Sequence, residues 1–196
     1  MTKTLANVCE RAAWYKLLSD CYYPPDDELM QKIAGAALTV PLFAELTCHV
    51  PPALDLQALR IDFAALFVGP CGLLAPPYGS VYLEGKVVMG DSTIDVRNCY
   101  ANEGLHITIK DAPDHIAVEL EFMHYLATEQ MWAVRRANLQ TVQRYQHKQY
   151  SFLQTHLARW LPEFAENVQK NAQTAFYRRL AQITAIFVRE DAEACA

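Results

Sequence analysis

Apolar side chains recur three and four positions apart over long windows of this chain, while strict apolar and polar alternation is scarce, so the pattern predicts helices. Over residues 5–21, Leu5, Val8, Ala12, Tyr15 and Leu18 fall on one stripe. Pro24 and Pro25 stop that helix, Asp26 or Asp27 can cap a second, and Leu29, Ile33 and Ala37 begin its apolar face. Pro41 and the pair Pro51 and Pro52 bracket a short third segment. A fourth helix opens near Asp55 and carries Leu56, Leu59, Phe63 and Phe67 until Gly69 and Pro70 end it.

Further along, GDSTIDVRNCYANEG carries start and stop signals, with Ser92 as cap, Asp95 three residues on and Gly104 closing. LHITIKDAP alternates briefly and reads as extended loop, with a strand as the alternative. From Asp114 a long amphipathic helix places Ile116, Leu120, Met123 and Ala127 on one line, with Glu119, Phe122 and Leu126 beside it. Later helices are predicted over 138–160 and 174–191, with Pro162 opening a short piece between them. No internal repeat or linker interrupts the series. The fold class is therefore all-α, one helical domain over residues 1–196 built from about eight to ten helices.

One stretch breaks the helical rhythm: FAALFVGPCGLLAPPYGSVYL, residues 63–83, holds no charge and no histidine. Its length approaches the roughly 20 apolar residues that span a bilayer. Gly69, Pro70, Gly72, Pro76, Pro77 and Gly79 forbid one unbroken helix, leaving a helix end followed by an apolar, proline-stiffened loop. Leu66 and Val68 are assigned to core packing, and the loop aromatics to a binding surface.

Composition narrows the possible partners. A 52% hydrophobic fraction excludes disorder, and a net charge of -5 disfavours a sequence-blind nucleic-acid binder, so a basic peptide fits better than a phosphate backbone. Lys3, Glu10, Arg11, Lys16 and Asp20 interrupt any apolar core that a secretory signal would need, which gives a cytoplasmic reading. Cys9, Cys21, Cys48, Cys71, Cys99 and Cys195 lie far apart with no zinc spacing and read as reduced thiols.

Candidate chemistry is sparse. Ser80 lacks the G-x-S-x-G elbow, and neither G-x-G-x-x-G nor a P-loop occurs. Glu121 and His124 form an E-x-x-H pair on one helix face, but a carboxylate-bridged metal site needs that pair twice. The other instance, Glu103 to His106, contains Gly104. DAPDHIAVEL combines a capping residue, Asp114, with His115 in the first turn and Glu119 one turn on.

LFVGP, PPYGSVYLEG, GDST and DAPDHIAVEL, in this order and at this spacing, resemble the signature blocks of the TorD/DmsD/NarJ family of redox-enzyme maturation chaperones, nearest its DmsD and TorD branches. The resemblance implies an all-helical cytoplasmic protein without enzymatic activity or cofactor. Its implied partner is the twin-arginine signal peptide of an apo molybdoenzyme, of dimethyl sulfoxide or trimethylamine N-oxide reductase type, held until the molybdenum cofactor is inserted and export by the Tat pathway can follow. It also implies a monomer, with a domain-swapped dimer as the alternative. Phe63, Phe67, Pro76, Pro77, Tyr78, Gly79, Ser80 and Tyr82 match the family's peptide-binding region, Asp114 and His115 match its characteristic pair, and Glu119 and Leu120 complete that motif. Glu84 and Asp91 are further acids beside the uncharged loop. Cys71, Tyr78 and Tyr82 stand where DmsD-type members carry tryptophans, and Pro113 stands where an acid is usual, with Asp111 the nearest substitute. The rival readings are a metal-binding helical enzyme using Glu121 and His124, and a generic subunit adaptor.

Overall fold

Proline-bounded segments fold into helices that pack around one long central helix. The structure, a computed structural model, describes residues 2–37, 55–69, 72–85, 87–106 and 112–194. The segment between Pro41 and Pro52, most of LHITIKDAP, and Cys48, Pro70, Cys71, Asp111 and Cys195 lie outside the described residues, as do the side chains of Leu5 and Ala37.

Helix α1 (Thr2–Cys21) and α2 (Asp27–Ala37) form the first hairpin. Asp26 starts α2 by accepting from Leu29 N at 2.8 Å, as its position after the prolines predicts. Helix α3 (Leu56–Phe63) opens on Asp55, whose carboxylate accepts from Gln57 N and Ala58 N. It continues into a single π-turn, Ala64–Val68, before Gly69 leaves helical geometry. The short α4 (Gly79–Leu83) and α5 (Asp91–Ala101) follow the apolar loop. Helix α6 (Ile116–Arg135) is the centre, with residues buried on every face. Helix α7 (Leu139–Phe152), a π-turn (Leu153–Leu157) and α8 (Ala158–Asn171) run on from one another, and α9 (Ala175–Ala194) closes the described fold.

The core lies where α1, α6, α8 and α9 meet, and aromatic side chains dominate it. Tyr22, Phe63, Phe67, Phe164 and Tyr177 are linked by ring contacts of 5.2–6.3 Å between centroids. Leu66 joins this core with no exposed surface, but Val68 is 64% exposed, because the π-turn ends there and turns it outward. Three other local expectations are corrected. Pro162 does not open a new piece. It lies inside α8, one turn after the π-turn, where only the Ala158 carbonyl loses an i+4 donor. Asp114 does not cap α6, and Ser92 does not cap α5; both helix starts take a different side chain, described below. The all-α expectation holds: among the described residues, the extended pairing is a single bridge between Tyr78 and His115.

Candidate functional site

That bridge fastens the proline loop to the start of the central helix. Pro77 fixes an extended backbone, and its carbonyl accepts from Ile116 N at 2.8 Å while Gly79 N donates to the Asp114 carbonyl at 2.9 Å. The buried Asp114 side chain adds a third link, its Oδ2 accepting from Ser80 N at 2.8 Å. The carboxylate therefore caps α4 and leaves the cap of α6 to its neighbour. His115 Nδ1 accepts from Ala117 N at 3.2 Å, which assigns the ring proton to Nε2. Tyr23 stacks on the His115 ring and Tyr78 meets it edge-on. The turn before Asp114 is held by Tyr100, whose hydroxyl donates to the Pro113 carbonyl at 2.8 Å.

Gly79 has to be glycine here, since a Cβ would lie 2.9 Å from Trp160 Nε1 and 3.2 Å from Glu119 Oε1. Beneath it Glu119 is 1% exposed and takes one long hydrogen bond, 3.4 Å, from Trp160 Nε1. Burial pushes the Glu119 carboxyl well above the usual carboxylate range, and the Asp114 charge adds to the effect. The indole of Trp160 also stacks against Tyr82, with centroids 5.6 Å apart.

At the far end of α4, Glu84 caps α5 across a gap in sequence. Its carboxylate accepts from Asp91 N at 2.9 Å, from Ser92 N at 2.7 Å and from the Ser92 hydroxyl. The Ser92 hydroxyl and amide, ahead of the Asp91 amide, hold the Glu84 carboxyl below its ordinary range. A Cβ at Gly90 would overlap that carboxylate. Of the four acids that the sequence places beside the uncharged loop, Asp114 and Glu84 are thus helix caps, Glu119 is buried and Asp91 is exposed.

Of the twelve residues assigned to the site by sequence, Phe63, Phe67, Pro77, Gly79, Ser80, Asp114, His115 and Glu119 are buried, while Pro76, Tyr78, Tyr82 and Glu84 are partly exposed. The first group is the mount. The open surface lies beside it, on Asp91, which the sequence singles out, and on neighbours that it does not. Val87, Val88 and Met89 are 49%, 55% and 65% exposed, and Ile94 is 46% exposed. Asp91 and Asp95 stand exposed on the same first turns of α5. Met89 adopts a left-handed φ of 61° and its N–H donates to Ser80 Oγ at 3.3 Å, tying the apolar tip back to the mount. One lysine and an apolar triplet between two glycines, GKVVMG, were the available signal, since Gly85 supplies the turn with its φ of 68°.

The alternative metal pair is used otherwise. Glu121 forms an ion pair with Lys16 at 2.8 Å, and His124 Nδ1 lies 2.8 Å from the Ala12 carbonyl. Among the described residues no three His, Cys, Asp or Glu side chains converge. Cys9, Cys21 and Cys99 are free thiols. No described helix is long and apolar enough to cross a membrane.

Comparison with known proteins gives consistent matches. The family model of the nitrate reductase delta subunit matches residues 26–166. The chain is 27% identical over 135 residues to the chaperone protein TorD of Vibrio cholerae, covering 68% of this chain and 60% of that protein. It is 28% identical over 174 residues to the Tat proofreading chaperone DmsD of Salmonella typhi, covering 83% and 78%. The chain thus spans about three fifths of the length of the Vibrio chaperone that it matches. A crystal structure from Archaeoglobus fulgidus, described as a candidate redox enzyme maturation protein, superposes with a TM-score of 0.56 at 25% identity, covering 94% of this chain and 92% of that one.

Proposed function

The chain belongs to the TorD/DmsD/NarJ family, to which the nitrate reductase delta subunit model also belongs, and on that premise we propose that it is a system-specific maturation chaperone. In this reading it binds the twin-arginine signal peptide of an apo molybdoenzyme in the cytoplasm, catalyses nothing itself, and holds the client until cofactor insertion precedes Tat export. The client would be a reductase of the dimethyl sulfoxide or trimethylamine N-oxide type.

The carrying observation is the bridge between Pro77–Gly79 and Asp114–Ile116, which fixes the proline loop beside an exposed apolar tip and exposed acids. A twin-arginine peptide presents two guanidinium groups and then an apolar stretch. Asp91 and Asp95 offer carboxylates for bidentate pairing, and Val87, Val88, Met89 and Ile94 offer apolar area within reach of them. Tyr78 and Tyr82, partly exposed and fixed by ring contacts, add rigid aromatic surface that loses little entropy on binding. Phe63, Phe67, Pro76, Pro77, Gly79, Ser80, Glu84, Asp114, His115 and Glu119 act in this reading by holding that surface in shape.

Titration calorimetry tests it with a synthetic peptide carrying two adjacent arginines followed by an apolar stretch. Binding is expected to weaken several-fold when the arginines are replaced by lysines, and again in an Asp91→Asn, Asp95→Asn variant. Equal affinity for the twin-lysine peptide, or no heat with either, overturns the reading.

A further inference from the structure

The thirty-three residues from Gln130 to Pro162 contain Arg135, Arg136, Arg144, Lys148 and Arg159 and no acid, leaving the rest of the chain with twelve cations against twenty-two acids. Most of this charge gathers at one place, the tip of the hairpin between α6 and α7. Arg135 and Arg136 end α6, and Arg144 lies within about 8 Å of the start of α7 along its axis. All three are exposed, and among the described residues no carboxylate pairs with any of them. The same tip exposes two large apolar side chains, Leu139 at 75% and Trp132 at 41%. The Arg135 guanidinium lies 4.9 Å from the centre of the Trp132 ring.

We propose that this hairpin tip docks on an anionic lipid surface. The chemistry favours a membrane interface over other anionic partners because the exposed apolar groups sit among the cations on the same turn. Leucine gains from entering the acyl boundary and gains nothing from a bare phosphate, while tryptophan and arginine suit the headgroup layer. Each arginine near an anionic leaflet raises partitioning by about fivefold, and salt screens the effect. Unpaired cations in a chain of net charge -5 restrict contact to this one face, since the acidic remainder is repelled by the same surface. The inference does not depend on the peptide-binding reading, as the two surfaces share no residue.

The test uses the full chain and phosphatidylcholine vesicles with and without a minority of phosphatidylglycerol. Co-sedimentation is expected only with the anionic vesicles, and is expected to fade by about 0.5 M salt. Trp14 and Trp160 are 7% and 1% exposed, so lipid-induced changes in fluorescence report Trp132. Binding should shift the emission to the blue, and brominated acyl chains should quench it. Arg135→Gln, Arg136→Gln, Arg144→Gln together should lower partitioning about 100-fold, and Leu139→Ser should weaken quenching, with unchanged helical circular dichroism in both. Failure to partition at low salt, undiminished partitioning of the triple variant, or binding without quenching of Trp132 overturns the proposal. So does arginine-dependent capture of single-stranded nucleic acid or polyglutamate by a protein that ignores the vesicles, which would assign the tip to that partner.

Discussion

Glu119 is an acid that the fold prefers protonated, because its carboxyl is buried beneath Gly79 with one long hydrogen bond and a neighbouring Asp114. Between the ordinary carboxyl range and its raised value, the folded chain holds a proton that the unfolded chain has released. Stability therefore falls as pH rises through that interval. Glu119→Gln keeps an acceptor for Trp160 and removes the titration. The variant should be more stable than the parent at neutral pH, by a margin that grows as pH rises above the ordinary carboxyl range, as urea unfolding curves can measure. A parallel pH dependence in both proteins would mean that Glu119 ionises freely. Gly79 makes a steric demand at the same spot. Gly79→Ala should cost about 1–3 kcal/mol through its clash with Trp160 and Glu119. Gly35→Ala, where a Cβ meets nothing within 4 Å in mid-helix, should stabilise by about 0.5–1 kcal/mol in the same assay.

At the scale of helices, three carboxylates act across space: Asp114 starts α4, Glu84 starts α5, and Asp62 starts α9. Asp62 is 2% exposed and accepts from Gln173 N, Thr174 N and the Thr174 hydroxyl at 2.7–3.0 Å. Removing this buried carboxylate loses three charge-assisted hydrogen bonds at once. Asp62→Ala should therefore lose about 2–3 kcal/mol, more than the roughly 1 kcal/mol of an exposed cap such as Asp55→Ala, as chemical denaturation can measure. This contrast also marks what the sequence could reveal. Asp26, Asp55 and Gly104 act on their own chain neighbours, so position alone identified them. Asp114 and Ser92 were misassigned because the true donor and acceptor pairs lie 34 and 8 residues apart. The π-turns at Ala64–Val68 and Leu153–Leu157 went unread, since a one-residue change of period leaves the apolar pattern intact. The site's blocks were legible as a group, but an uncharged loop looks the same whether its residues build a mount or line a surface.

For the molecule as a whole, one polar network joins the two ends of the chain. Arg11 on α1 meets Asp191 on α9 through both carboxylate oxygens at 2.5 and 2.8 Å, and Tyr15 donates to the same carboxylate at 2.6 Å. Arg11 also reaches Gln149 Oε1 on α7 at 2.9 Å, and Gln149 Nε2 donates to Gln130 on α6 at 2.9 Å. The network thus links four helices, starting from a carboxylate whose side chain is only 5% exposed. Such a network costs desolvation when it forms, so its net contribution is small, but breaking it from one side removes a charged acceptor that three hydrogen bonds share. Asp191→Ala should destabilise by about 2–3 kcal/mol, because three hydrogen bonds from Arg11 and Tyr15 lose their charged acceptor at once. Removing the cation as well, in Arg11→Met with Asp191→Leu, should recover much of that loss, since no buried charge is then unpaired. A double-mutant cycle from guanidinium unfolding reads the coupling directly. Additive losses would show that the ion pair acts locally and that apolar packing alone joins α1 to α9.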